Sequence, residues 1–212
     1  MSGRQPRPLT HTDALPAPTV LAAAFVCGSI PFSNIASRLT RGVDLRDVGT
    51  GTVSGTALHE VAGFGPLAVA GVLEVAKGSV GPLLAGRDRP VLAAVAGGAA
   101  VAGHDWSPFL RGAGGRGISP ATGALLASAP VGAAVLLGGL AAGRLARQTA
   151  LASLVADLVL VPVTRRVHGR RGGLAAAAVV GVIVAKRLAG NAPAPRETRW
   201  RTLRNRLLFD RD

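Results

Sequence analysis

Residues 61–84 read VAGFGPLAVAGVLEVAKGSVGPLL, an apolar run interrupted by the charged Glu74 and Lys77. An α-helix needs roughly 20 apolar residues to cross the hydrocarbon core of a bilayer. Unpaired backbone groups are costly in lipid, so a run of this kind has to be helical. Glu74 and Lys77 stand three residues apart and fall on one face of that helix. Charges inside a membrane are expensive, so the two are expected either to pair or to face a cavity.

Similar runs lie on both sides, at 20–39, 91–103, 118–129, 131–143, 151–163 and 174–185. The 212-residue chain is 49% hydrophobic, with a mean hydropathy of +0.39, and Ala, Val, Leu and Gly dominate. A soluble domain of this length needs more polar surface to cover its core. The expectation is an all-α polytopic membrane protein of about seven transmembrane helices, occupying 19–190. Several runs are short, which predicts helices packed against one another. AGGAAVAG at 96–103 would let backbones approach closely.

Residues 1–18 are polar and Pro-rich and read as a disordered tail. No clear cleavage site follows the first apolar run, so no cleaved signal peptide is expected. The single cysteine, Cys27, lies in an apolar run and reads as a small buried side chain. The net charge is +13. In a soluble protein that would point to nucleic acid. Here much of it sits in loops and in the basic tail at 191–212, which suits anionic lipid instead. Leu203, Leu207 and Leu208 have helical spacing among arginines there, so the tail reads either as an interfacial helix or as a flexible segment.

With the N-terminus outside, seven spans put the C-terminus and both Gly-rich loops in the cytoplasm. Cytoplasmic segments then hold 15 basic residues against 8 outside, eight of the 15 lying beyond the last apolar run, at 186–212.

Two polar loops fall on one side of the membrane in that arrangement. GAGGRG at 112–117 lets backbone amides turn towards one ligand, a nest that favours anions. Arg116 within it can grip a phosphate, and the loop leads into a helix start at Ile118 whose dipole favours negative charge. VGTGTVSGTALHE at 48–60 offers the hydroxyls of Thr50, Thr52, Ser54 and Thr56, with Arg46 just upstream. This suits a phosphate or polyol. A solvated turn is the plainer reading of each loop taken singly. His104 reads as a structural histidine, or as a polar anchor or proton carrier beside the glycine loop.

These segments together resemble the bacterial acyl-phosphate-dependent glycerol-3-phosphate acyltransferases. That family carries GSIPF, matched at 28–32, and D-I-R-x-x-G-S-G-N-x-G-A-T-N, met here by DLRDVGTGTVSGTA at 44–57. It carries D-x-x-K-G, met by EVAKG at 74–78, G-H-x-x-P-x-F, approached by GHDWSPF at 103–109 with its proline one place later, and G-G-K-G, met by GGRG at 114–117. A final R-L-x-A-G is approached by KRLAG at 186–190, which lacks the residue between Leu188 and Ala189. The resemblance implies seven helices in a bacterial cell membrane, with a cytoplasmic active site. It implies acyl transfer from acyl phosphate to glycerol 3-phosphate, giving lysophosphatidic acid, with no metal and no cofactor. It assigns catalysis to Arg116, Thr50 and His104. It assigns substrate binding to Ser29, Arg46, Gly51, Thr52, Thr56, Lys77, Gly114, Gly115 and Gly117. Several family positions differ. Thr52 and Ala57 stand for asparagines, Glu60 for an arginine, Arg116 for a lysine and Ala150 for a serine. Val180 and Ile183 stand for the His and Asn of the last helix. Two readings follow: a divergent acyltransferase, or a homologue without catalysis that binds lipid intermediates or a membrane partner.

Overall fold

In the computed structural model the first apolar run is two helices, α1 (Ala17–Ser29) and α2 (Phe32–Arg41). Pro31 divides them. It has no N–H to continue the ladder and pushes the preceding residue out of helical geometry, and Ile30 is extended at φ −63°, ψ 118°. The structure describes residues 14–191 and 196–209, and every regular element among them is a helix. The tail expected at 1–18 lies largely outside that range.

The remaining helices are α3 (Gly55–Ala62), α4 (Phe64–Ala85), α5 (Pro90–Asp105), α6 (Ile118–Ser128), α7 (Pro130–Leu145), α8 (Thr149–Ala189) and α9 (Arg199–Phe209). Three stretches, Ala17–Arg41, Phe64–Ala85 and Thr149–Ala189, are long and apolar enough to cross a membrane. α8 is 41 residues long and folds back on itself at Gly169, where φ is 65° and ψ −153°. Its arms, 149–168 and 170–189, run antiparallel: Arg187, near the end of the second, donates to the carbonyl of Ala150, near the start of the first, at 3.4 Å.

Large apolar side chains such as Val69, Val72, Leu83, Leu137 and Leu158 are exposed along the helices, as a surface solvated by lipid requires. Inside, small residues bring backbones into contact. A Cβ on Gly28 would meet the Ala100 carbonyl, and one on Gly123 the Val75 carbonyl, so α1 meets α5 and α4 meets α6 without intervening side chains. Lipid supplies no hydrophobic drive between helices, so this close packing carries the association.

The stretch at 48–60 is not an unstructured loop. It ends in α3, and Leu45, Val53, Leu58 and Ala62 bury themselves with Ala70 and Leu110 in a small core. The second apolar run therefore does not begin a helix at Val61: α3 closes at Ala62, Gly63 takes φ 81°, and α4 starts afresh at Phe64. The basic tail carries a helix, α9, held against the end of α8. The buried Arg206 donates to the carbonyls of Leu188 (3.2 Å) and Ala189 (2.7 Å).

Candidate active site

The break at Pro31 leaves helix-end carbonyls at the foot of α1 and helix-start amides at the head of α2. The buried charges of α4 use both. Glu74 accepts from the backbone N–H (3.1 Å) and hydroxyl (3.2 Å) of Ser33, at the positive end of α2. Lys77 donates to the Ile30 carbonyl at 2.6 Å, at the negative end of α1. The two pair with each other at 2.6 Å. His104, at the end of α5, brings Nδ1 to 3.1 Å from both Glu74 Oε2 and Lys77 Nζ. Ser107 donates to the other freed carbonyl, that of Ser29, at 2.6 Å. GSIPF, EVAKG and GHDWSPF are thus one polar cluster inside the bundle. Ser29 itself is fully buried, with its hydroxyl donating to Phe25 at 2.7 Å.

The glycine loop lies on this cluster. Gly114 stacks on the carbonyls of His104 and Asp105, and a Cβ on Gly115 would strike Nε2 of His104. Gly117 has φ +75° and sits against Val101 and the Asp105 carboxylate. The loop therefore dips into the bundle, and α6 starts about one turn below the end of α5. That depth is why α6 needs only 11 residues. Arg116 is held between two buried glycines, in the electrostatic field shared by Asp105 and Lys186.

The hydroxyl loop meets the glycine loop directly: the Val53 N–H donates to the Gly114 carbonyl at 3.2 Å. Thr50 and Thr52 hydrogen-bond each other at 3.1 Å, and Gly51 turns between them at φ +69°. Ser54 caps α3 by accepting from the Ala57 N–H. Arg46 is clamped on Asp44 (Nη2–Oδ2 2.7 Å) and reaches the Leu110 carbonyl at 3.5 Å, on the segment leading into the glycine loop. Asp44 also binds Arg38, and the Arg46 hydrogen bond holds its carboxyl far below the usual carboxylate range. Thr56 is placed apart from this group, on the exposed face of α3 with Glu60.

Some residues gather here that the sequence did not single out. Lys186 is buried with Nζ 5.1 Å from the centre of the Trp106 ring, beside the glycine loop. Asp105 is fully buried. Asn191 donates to the Thr52 hydroxyl at 3.3 Å. Arg187 binds Ser153, three residues beyond the Ala150 position, and Asp157 is buried one turn further on. Val180 and Ile183 pack into the apolar core with Val101, Ala121 and Leu125. No spacing rule links residues 105, 116 and 186, so only the closed bundle brings them together.

The family described as glycerol-3-phosphate acyltransferase matches this chain over residues 19–193. The chain belongs to that family. A glycerol-3-phosphate acyltransferase of Synechococcus sp. is 34% identical over 168 residues, covering 78% of this chain and 84% of that protein. One from Chlorobaculum tepidum is 35% identical over 132 residues, which is 56% of this chain and only 57% of that relative. A crystal structure of PlsY (YgiH), an integral membrane glycerol 3-phosphate acyltransferase in its glycerol 3-phosphate form, superposes with a TM-score of 0.71. It is 27% identical, covering 90% of this chain and 93% of that one. The family match takes in both polar loops and α4 to α8, and it makes the all-helical bundle a membrane fold.

Proposed function

We propose that this acyltransferase-family chain transfers a fatty acyl group from acyl phosphate to the 1-hydroxyl of glycerol 3-phosphate, releasing lysophosphatidic acid and inorganic phosphate. The observation that carries the reading is the hydroxyl loop bonded to the glycine loop over the Glu74–Lys77–His104 cluster. Glycine amides, threonine hydroxyls and Arg116 surround one polar region at one end of the bundle, where two phosphates can be held close together. In the reaction the alcohol oxygen attacks the acyl carbonyl carbon, the bond from that carbon to the phosphate oxygen breaks, and phosphate leaves with the alcohol's proton. A good leaving group makes positioning and stabilisation of developing negative charge sufficient. Arg116 and the loop amides supply the charge stabilisation. The Glu74–Lys77 pair and His104 hold the loop in place. Thr50, Thr52, Arg46 and Gly51 form the facing wall.

The orientation that suits this reading has the N-terminus outside, both loops cytoplasmic and the protein in the bacterial cell membrane. The apolar Val180 and Ile183 do not favour a non-catalytic homologue, because a cation from α8, Lys186, enters the polar region about one turn further along.

The test is acyl transfer by the full chain in lipid, with palmitoyl phosphate and labelled glycerol 3-phosphate. Lysophosphatidic acid should form. Arg116→Ala should abolish its formation while membrane insertion stays intact. Full activity in Arg116→Ala would remove the glycine loop from the site.

A further inference from the structure

Asp105 and Lys186 are both buried, at 0% and 1% exposure. Neither carboxylate oxygen of Asp105, nor Nζ of Lys186, has a hydrogen-bond partner among the described residues. No nitrogen–oxygen approach within 4.0 Å joins them, although each lies in the other's field. A buried charge without a hydrogen bond is costly, so such groups are retained where something else meets them. The cation is turned over the Trp106 ring and not locked to the carboxylate. The carboxylate lies against Gly117, at the start of α6. Arg116 shares the same field.

A carboxyl group and an amino group buried without partners in this way select a ligand group that can both give and take a hydrogen bond. A carboxyl oxygen accepts a hydrogen bond from a hydroxyl, and an ammonium donates one to a hydroxyl or phosphate oxygen. We propose that Asp105 and Lys186 form the subsite for the acceptor alcohol, accepting from a hydroxyl of the polyol phosphate and donating to its oxygens. The inference rests on the acyl-transfer reading and adds a specificity-determining pair to it. The pair selects the acceptor and not the acyl donor, because acyl phosphate has no hydroxyl to offer Asp105. It also accounts for the apolar Val180 and Ile183: α8 delivers its polar contact from Lys186, a turn beyond Ile183.

The experiment measures, in nanodiscs, KM for glycerol 3-phosphate and for palmitoyl phosphate, with equilibrium binding of glycerol 3-phosphate alone. The variants are Asp105→Asn, Lys186→Met and the double Asp105→Leu/Lys186→Met. Losing a hydrogen bond to a charged group predicts that each single variant weakens glycerol 3-phosphate roughly 10- to 100-fold. The KM for palmitoyl phosphate should move less than about threefold, below the smallest loss of one such bond. The double variant guards against misfolding, because apolar residues of similar volume replace a buried charge pair without loss of stability in many cases. A folded double variant that keeps wild-type affinity for glycerol 3-phosphate overturns the assignment and leaves a purely structural pair. Equal losses for both substrates also overturn it. A wild type that neither turns over nor binds glycerol 3-phosphate overturns the functional reading, and this subsite with it.

Discussion

Gly115 shows how little room the site allows. Its Cα carries no side chain because the His104 ring occupies that space, and the Val53 carbonyl lies 2.8 Å from where a Cβ would be. Gly115→Ala should push the loop off His104 and lower acyl transfer at least tenfold, since small misplacements of a positioning group cost about that much or more. Kinetics in lipid, with circular dichroism showing unchanged helix content, check this. Asp44 offers a pH test. Its folded carboxyl value is depressed by Arg46, so its contribution is complete above the unfolded value of about 3.9 and is lost as pH falls below it. Thermal unfolding of wild type and Asp44→Asn in detergent should differ at neutral pH, and the difference should shrink as pH falls below about 4. Arg38, whose side chain is 56% exposed, contributes little of that difference.

Two broken helices organise the bundle. The α1–α2 break turns helix ends into ligands for Glu74 and Lys77, which lets an ion pair sit inside an apolar bundle with its remaining valences satisfied. The α8 break makes two antiparallel arms from one run of helix. Gly169 holds φ 65° with ψ −153°, a region that only glycine occupies without strain. Gly169→Ala should cost about 1–3 kcal/mol. A lowered unfolding midpoint in detergent, with unchanged KM for both substrates, is the expected result, since the turn lies at the end of the bundle away from the loops. The apolar runs at 20–39 and 61–84 are plain in the sequence, but their exact shapes are not. Pro31 inside a greasy run is a visible signal for the first break. Gly63 is a weaker one, because isolated glycines are frequent in this chain.

The loops, the end of α8 and α9 close the same end of the molecule. Arg206 and Arg187 bind α9 to α8, the latter through the Leu207 carbonyl at 3.4 Å. Arg206→Ala should loosen that docking by about 1–3 kcal/mol, and limited proteolysis in nanodiscs should then cleave the tail faster while the helical bundle stays resistant. Periodicity, run length and the glycine-rich spacings were enough to establish an all-helical membrane protein, the rough place of its helices and the two loops of the candidate site. Those signals are local, and each is read within one helix or one loop. Pairing of Glu74 with Lys77 was legible for the same reason, as both lie on one turn of one helix. The His104 contact, the bond between Val53 and Gly114, the inward placement of Ser29, the outward face of Thr56 and the gathering of Asp105, Trp106 and Lys186 were not. They join residues up to about 80 positions apart, and such contacts follow from how helices cross at glycine backbones. That crossing depends on the packing of every neighbour at once, so only the tertiary structure decided which polar residues share a site.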